Sequence, residues 1–324
     1  MNEEIKSILV EYGERRAKNE AMRNARVIKI YTQYPQIKEI DLKIKRAGAD
    51  NFKKILNDPE NAEKYKRDFD RELKNLRKER LDIIGKNNIN PDFDKVKCQC
   101  PICRDKGFLE NGKKCSCLKQ ALLNERYLKS NLSEILEKEN FENFSFAYYS
   151  KNKDGNDKIS PYDNIVRVYK RANIFCDNFD KEEKSLIFYG ATGLGKTFMS
   201  SCIAKRLMDK GKTVLYLRAQ QLFDIYESYR FRREETGSIK DVYNCDLLII
   251  DDLGTEQQNK NNFAFLFDLI NERLSSGKKI IINTNLNMND LNNAYSSRFT
   301  SRIYEHFLVY GFLGEDIRVQ KLRE

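Results

Sequence analysis

Over the first 85 residues, apolar side chains recur every three or four positions between stretches rich in lysine and glutamate. Ile5, Ile8, Leu9 and Tyr12, then Ala21, Met22, Ala25 and Ile28, trace one face of a long amphipathic helix, and Pro35, which has no N–H to donate, marks its stop. Ile37, Ile40, Ile44 and Ala47 predict a second helix. A third has Asp58 to cap it, Pro59 in its first turn, a stripe of Tyr65, Phe69, Leu73, Leu76 and Ile83, and Gly85 to end it. The region therefore reads as all-helical. Its stripes serve either as the core of a small bundle or as a surface for a partner helix.

The pattern changes twice further on. Asn87 to Lys97, with Pro91, breaks the helical period and leads into Cys98-Gln99-Cys100-Pro101-Ile102-Cys103, a Gly-bearing hairpin-like stretch, and Cys115-Ser116-Cys117. A helix is expected from Leu118 to about Glu139, then an aromatic run from Phe141 to Tyr149, then a polar loop from Lys151 to Ser160 that looks like a boundary. From Asp163 onward, helical stretches alternate with short apolar runs at Leu186–Tyr189, Val214–Leu217, Leu247–Ile250 and Ile280–Ile282. Such alternation predicts an α/β fold, a parallel sheet with flanking helices.

Composition narrows the class. With 324 residues and 40% apolar content the chain buries a full core, in two domains of which one is small. A net charge of +10 favours an anionic partner, nucleic acid first, although lysines on solvated helices account for it equally well. The N-terminus shows no basic-then-apolar segment and no run approaches a membrane span, so a soluble, cytoplasmic protein with no membrane association is expected. Five of the eight cysteines fall between Cys98 and Cys117, which points to a metal rather than to disulfides. Cys100, Cys103, Cys115 and Cys117 supply four thiolates for a structural Zn²⁺, with Cys98 competing with Cys100 and a redox pair as the rival reading. Cys176, Cys202 and Cys245 read as buried apolar residues, and His306, the only histidine, as structural.

Gly190-Ala191-Thr192-Gly193-Leu194-Gly195-Lys196-Thr197 is a phosphate loop, placed between the strand ending at Tyr189 and a helix beginning near Lys196. Gly190, Thr192, Gly193 and Gly195 let backbone N–H groups face an ATP phosphate chain, Lys196 reaches the β and γ phosphates, and Thr197 offers its hydroxyl to Mg²⁺. Asp246 to Asp252 is an apolar run ending in two carboxylates, of which Asp251 is expected to hold Mg²⁺ and Asp252 to polarise the attacking water. The interval from Lys196 to Asp251 has room for the Val214 strand, so an extra strand is expected between the two motif strands. The strand from Lys279 ends in Asn283-Thr284-Asn285, and Asn285 is expected to orient water near the γ-phosphate, with a simple turn as the alternative reading. Arg298 and Arg302 share a helix face, and Arg318 follows. Arg230, Arg232 and Arg233 form a basic stretch that a charged loop explains as readily as a nucleic-acid contact.

These motifs resemble the AAA+ ATPases, and within them the bacterial and phage helicase loaders related to DnaC and DnaI. The resemblance rests on Gly190–Thr197, on Leu248-Ile249-Ile250-Asp251-Asp252-Leu253-Gly254-Thr255-Glu256 and on Asn283-Thr284-Asn285-Leu286. It implies a helical N-terminal helicase-binding domain at 1–95, a zinc module and linker helix at 96–139, and an AAA+ P-loop ATPase domain at 140–324. It also makes Asn285 the sensor-1 residue, Arg298 or Arg302 the arginine finger, and Arg318 the sensor-2 arginine, with the aromatic run packing on adenine. Asp252 stands where many AAA+ proteins have Glu, a shorter acid that the loader subgroup shares. The implied function is ATP-dependent loading of a hexameric replicative helicase of the DnaB type onto single-stranded DNA by an ATP-dependent homo-oligomer. The alternatives are a regulatory ATPase of a transposition system and a non-hydrolysing, ATP-switched adaptor.

Overall fold

The computed structural model describes residues 3–127, 132–153, 158–232, 236–256 and 260–322. The chain divides into two compact units, one of residues 6–109 and one dominated by residues 110–324.

The first unit is helical. α1 (Glu3–Gln33) is followed after Tyr34 by α2 (Pro35–Asn57) and, across a 3-10 turn (Pro59–Asn61), by α3 (Ala62–Lys86). Pro35 both stops α1 and opens α2, where its missing N–H costs nothing. Asp58 does not cap the backbone as expected: its carboxylate accepts the Asn61 amide and the Tyr65 hydroxyl, each at 2.9 Å, and α3 starts after the 3-10 turn. Gly85 does not end α3, which runs on to Lys86 because Ile84 and Ile89 still pack on Ile37 and Phe93. Arg80 crosses this core, bonding Asp41 at 2.8 Å and Asp94 at 2.6 Å. Arg23 and Arg26 of α1 donate to the carbonyls of Asp94, Phe93 and Lys95, which ties the irregular segment after α3 to the bundle.

The second unit contains α4 (Ser116–Tyr127), α5 (Leu132–Lys138), α6 (Pro161–Asp177), β1 (Ser185–Tyr189), α7 (Lys196–Asp209), β2 (Val214–Arg218), α8 (Ala219–Arg232), α9 (Thr236–Asn244), β3 (Leu247–Leu253), α10 (Lys260–Ser275), β4 (Lys279–Thr284), α11 (Met288–Ala294), α12 (Ser297–His306), β5 (Phe307–Gly311) and α13 (Ile317–Lys321). The helix expected across Leu118–Glu139 is described as α4 and α5, with 128–131 outside the described residues, as are 154–157 of the polar loop. Ser160 caps α6 by accepting the Asp163 N–H at 3.1 Å.

All five strands are parallel, in the order β2-β3-β4-β1-β5. The strand that separates the two motif strands β1 and β3 is therefore β4, and the Val214 strand lies outside them at the edge. Both faces are covered, and the strand alternation shows how. Ile187, Leu215, Leu217, Leu248, Ile250, Ile280 and Ile282 pack with Leu222, Phe223, Val242 and Leu266. Leu186, Phe188, Val214, Leu247, Ile249 and Ile281 pack with Val168, Phe175, Met199 and Ile203 of α6 and α7. The edge of β2 is closed by Gln120 of α4, whose amide accepts the Val214 N–H at 2.6 Å and donates to its carbonyl at 2.8 Å. No helix among the described residues is long and apolar enough to cross a membrane.

Candidate functional site

The C-terminal ends of β1, β3 and β4 lie side by side, and the residues that follow each strand meet there. The loop after β1 turns into α7 through Gly193 (φ 81°) and Gly195 (φ 91°), and both need glycine. A Cβ on Gly195 would come within 2.6 Å of the Tyr149 hydroxyl, and one on Gly193 would overlap the Asp316 carboxylate. Tyr149 donates to the Leu194 carbonyl at 3.0 Å, and the Ile317 N–H donates to the Gly193 carbonyl at 3.1 Å. The aromatic run and α13 thus grip the loop from two sides.

Lys196, only 7% exposed, donates to the carbonyls of Gly190 and Ala191 at 2.7 Å and to Asn285 Oδ1 at 2.8 Å. Burial lowers its ammonium from the ordinary value, Asp252 and Asp251 hold it up, and Arg318 pushes it down. Thr197 Oγ1 donates to Asp251 Oδ2 at 3.2 Å. Asp251 is buried at 5% exposure and also accepts from Asn283 Nδ2 at 2.8 Å and from the Tyr216 hydroxyl at 2.8 Å. Burial first, then the Asp251 charge, raise the Tyr216 hydroxyl well above its ordinary value, so it remains a donor. Pairing between β3 and β4 shifts register between Ile250 and Leu253, and this irregularity turns Asp252, at φ 56°, out toward solvent.

A cleft of about 240 Å³ opens over this arrangement, lined by Thr192 to Thr197, Asp252, Asn285 and Arg318 together with Phe144, Tyr148, Phe198 and Ile317. Phe144 lies edge-on to Phe198 at 5.7 Å, and Lys321 of α13 sits 5.2 Å from the Tyr148 ring. Its lining offers N–H groups, an ammonium and a guanidinium to an anion, and flat apolar surface to a base. Thr197 Oγ1 and Asp251 Oδ2 suit Mg²⁺, because two cis oxygens at ~2.1 Å from an octahedral ion stand ~3 Å apart. Arg298 and Arg302 do not line the cleft. Arg298 is exposed on the first turn of α12, while Arg302 pairs with Glu305 at 2.9 Å.

Asn283, Tyr216, Tyr149 and Asp316 carry contacts that the sequence reading did not single out. The Asn-x-Asn pattern held the signal for Asn283, since alternate residues of a strand share a face. Tyr149 ends the aromatic run, although its bond to the Leu194 carbonyl was not foreseen, and no local pattern marks Tyr216 or Asp316.

Cys100, Cys103, Cys115 and Cys117 bring their sulfurs within 4.8 Å of one another, and Cys98 is not in that group. Tetrahedral Zn²⁺ with bonds of ~2.3 Å sets sulfurs ~3.8 Å apart, so this donor set fits the ion after a small contraction. Arg104 and Asp105 both adopt positive φ, at 52° and 57°, and the buried Asp105 carboxylate accepts the N–H groups of Cys100 at 2.7 Å and Gln99 at 3.0 Å. The Gly107 N–H donates to Cys103 Sγ at 3.3 Å, the contact expected of a ligand thiolate. Cys176, Cys202 and Cys245 are buried, and burial pushes the Cys176 thiol up to about 12. His306 ends α12 with Nε2 3.4 Å from Glu305. Arg230 lies over the Phe231 ring at 5.3 Å, whereas the Arg232 side chain and Arg233 are outside the described residues.

The family described as IstB-like ATP binding protein matches residues 170–308. The replicative helicase loader DnaC of Escherichia coli (strain K12) is 26% identical over 141 residues, 43% of this chain and 57% of that protein. The chain therefore spans little more than half the length of the first curated relatives it matches. The replicative helicase loader DnaC of Buchnera aphidicola subsp. Schizaphis graminum is 24% identical over 230 residues, 69% of this chain and 87% of that protein. A crystal structure of the DnaC helicase loader superimposes with a TM-score of 0.45 at 23% identity, covering 52% of this chain and 96% of the other.

Proposed function

From the premise that the chain carries an IstB/DnaC-family AAA+ ATPase domain, we propose that it is a Mg²⁺-dependent ATPase that loads a hexameric replicative helicase of the DnaB type onto single-stranded DNA. The observation that carries the reading is that Lys196, Thr197, Asp252, Asn285 and Arg318 line one cleft together with aromatic side chains, while Asp251 is hydrogen-bonded to Thr197. Backbone N–H groups of the loop and Lys196 hold the β and γ phosphates. Thr197 and Asp251 would hold Mg²⁺, which would supply charge neutralisation, and Asn283 and Tyr216 fix the carboxylate. Asp252, turned outward by the register shift, accepts a proton from the attacking water while Asn285 orients it. Phosphate binding draws Lys196 away from the Gly190 and Ala191 carbonyls that now hold it.

Arg298 is exposed and unpaired in the described structure, so it is the better placed of the two α12 arginines to reach a second copy's γ-phosphate. Arg318 acts in its own protomer. The cysteine cluster holds a structural Zn²⁺ with no open position and takes no part in hydrolysis. The helical unit at residues 6–109 contains none of the cleft residues and serves as the helicase-binding part. The IstB-like description of the matching family favours a second reading, a regulatory ATPase of a transposition system. It predicts a transposase and duplex DNA as partners.

Affinity capture with the tagged full chain from its source cell, with ATP present, separates the two. Recovery of the replicative helicase supports loading, and recovery of a transposase supports the second reading. Lys196→Ala is expected to abolish ATP binding by equilibrium dialysis, and normal binding by that variant would remove the phosphate-loop assignment.

A further inference from the structure

Glu256 lies outside the cleft, is 7% exposed, and has both carboxylate oxygens engaged. Oε2 accepts the Gly254 N–H at 2.7 Å, and Oε1 accepts the Tyr295 hydroxyl. Each partner opens onto a functional segment. Gly254, at φ 103°, belongs to the turn that leaves β3 through Asp252, whose carbonyl accepts the Thr255 hydroxyl at 2.8 Å. Tyr295, 5% exposed and stacked on Phe299 at 5.0 Å, directly precedes Ser296, which caps α12 by accepting the Phe299 N–H. Arg298 stands in the first turn of that helix. Burial first, then the bond to Glu256 and its charge, keep the Tyr295 hydroxyl far above its ordinary value, so it stays a donor at neutral pH.

A buried carboxylate is a costly way to fill space, since apolar side chains of similar volume pack there with equal or better stability. Its two bonds join segments 39 positions apart in the chain. We propose that Glu256 is a positioning residue that couples the turn carrying Asp252 to the helix carrying Arg298, so that nucleotide in one protomer's cleft sets the placement of the arginine offered to a second copy. A shift of the Asp252 turn on γ-phosphate binding or release moves Gly254, and the bridge passes that movement to Tyr295 and the start of α12. This inference rests on the ATPase reading with Arg298 acting between copies.

Single-turnover phosphate release and nucleotide affinity, measured on the full chain at concentrations where it self-associates, test it. Tyr295→Phe removes the far half of the bridge and is expected to lower the rate on the order of tenfold while leaving nucleotide affinity unchanged, the loss that a small misplacement of a catalytic group produces. The Tyr295→Phe, Arg298→Ala double variant is expected to be no slower than Arg298→Ala alone, because both act on one step. Glu256→Gln preserves both hydrogen bonds, with the Tyr295 hydroxyl now accepting from the amide, and is expected to retain the parent rate. Glu256→Leu repeats the test without a buried charge if the Phe variant is unstable. Wild-type rates in Tyr295→Phe or Glu256→Leu alongside a crippled Arg298→Ala would overturn the coupling alone. So would multiplying losses in the double variant, or a Gln variant as impaired as the Phe one. An unimpaired Arg298→Ala would instead remove the reading on which the coupling depends.

Discussion

The Asp251 carboxylate is held by Thr197, Tyr216, Asn283 and the Asp252 N–H, so its direction is fixed before any ion arrives. Asn283→Ala is therefore predicted to weaken Mg²⁺ dependence by roughly 10–100-fold, the usual effect of losing a residue that orients a metal ligand. A Mg²⁺ titration of nucleotide binding checks this, and an unchanged midpoint would deny Asn283 that role. Asp246 gives a prediction of a different kind. Burial alone would raise its pKa, but the Thr213 N–H and hydroxyl, at 2.8 and 2.7 Å, and Lys278, at 3.1 Å, hold it below the ordinary value. Since the folded pKa is depressed, the stabilisation is present above the ordinary carboxylate range and is lost as pH falls below it through the folded value. Asp246→Asn is expected to lower stability at pH 7 by about 1–2 kcal/mol and to flatten the decline below pH ~4 in denaturant titrations. Equal losses at both pH values would contradict the assignment. The placement of Gly190–Thr197 between β1 and α7 and of Asp251–Asp252 on β3 could be read from the sequence, because consecutive neighbours set it. The contacts of Tyr149, Tyr216, Asp316 and Glu256 could not, because each meets its partner only after the sheet is assembled.

At the scale of elements, the alternation that predicted the parallel strands succeeded where both faces are apolar and a turn separates the strand from the helix before it. β5 escaped notice because Phe307 follows α12 with no turn residue between, so the helical pattern runs straight into the strand. Position in the sheet was also beyond the sequence: β4 falls between β1 and β3 because right-handed crossovers return to either side of a strand, and only packing decides which. The start of α3 shows local chemistry misread, since Asp58 had side-chain donors in Asn61 and Tyr65 that outcompeted the backbone. The cysteine turn shows the reverse case. Its spacing was visible, but the support from Asp105 depends on positive φ at two non-glycine residues. Freshly purified, reduced protein is predicted to contain one Zn²⁺ per chain, and Asp105→Ala to lose it to a chelator about 10-fold faster. Metal-free protein with an unchanged melting temperature would remove the zinc reading.

At the scale of the whole molecule, a net charge of +10 suits a protein that works on a nucleic-acid backbone, and it predicts association that weakens as salt rises. Charge does not choose between single and double strands, or between a helicase and a transposase. What chooses is whether the chain changes the state of a ring-shaped partner at the cost of nucleotide. The most direct measurement is retention of the source cell's hexameric replicative helicase on closed circular single-stranded DNA, which a closed ring cannot thread unaided. The account predicts stable retention only when this chain and ATP are both present, with Lys196→Ala inactive. Helicase retained equally well without the chain, or never retained although the chain binds ATP, would contradict it.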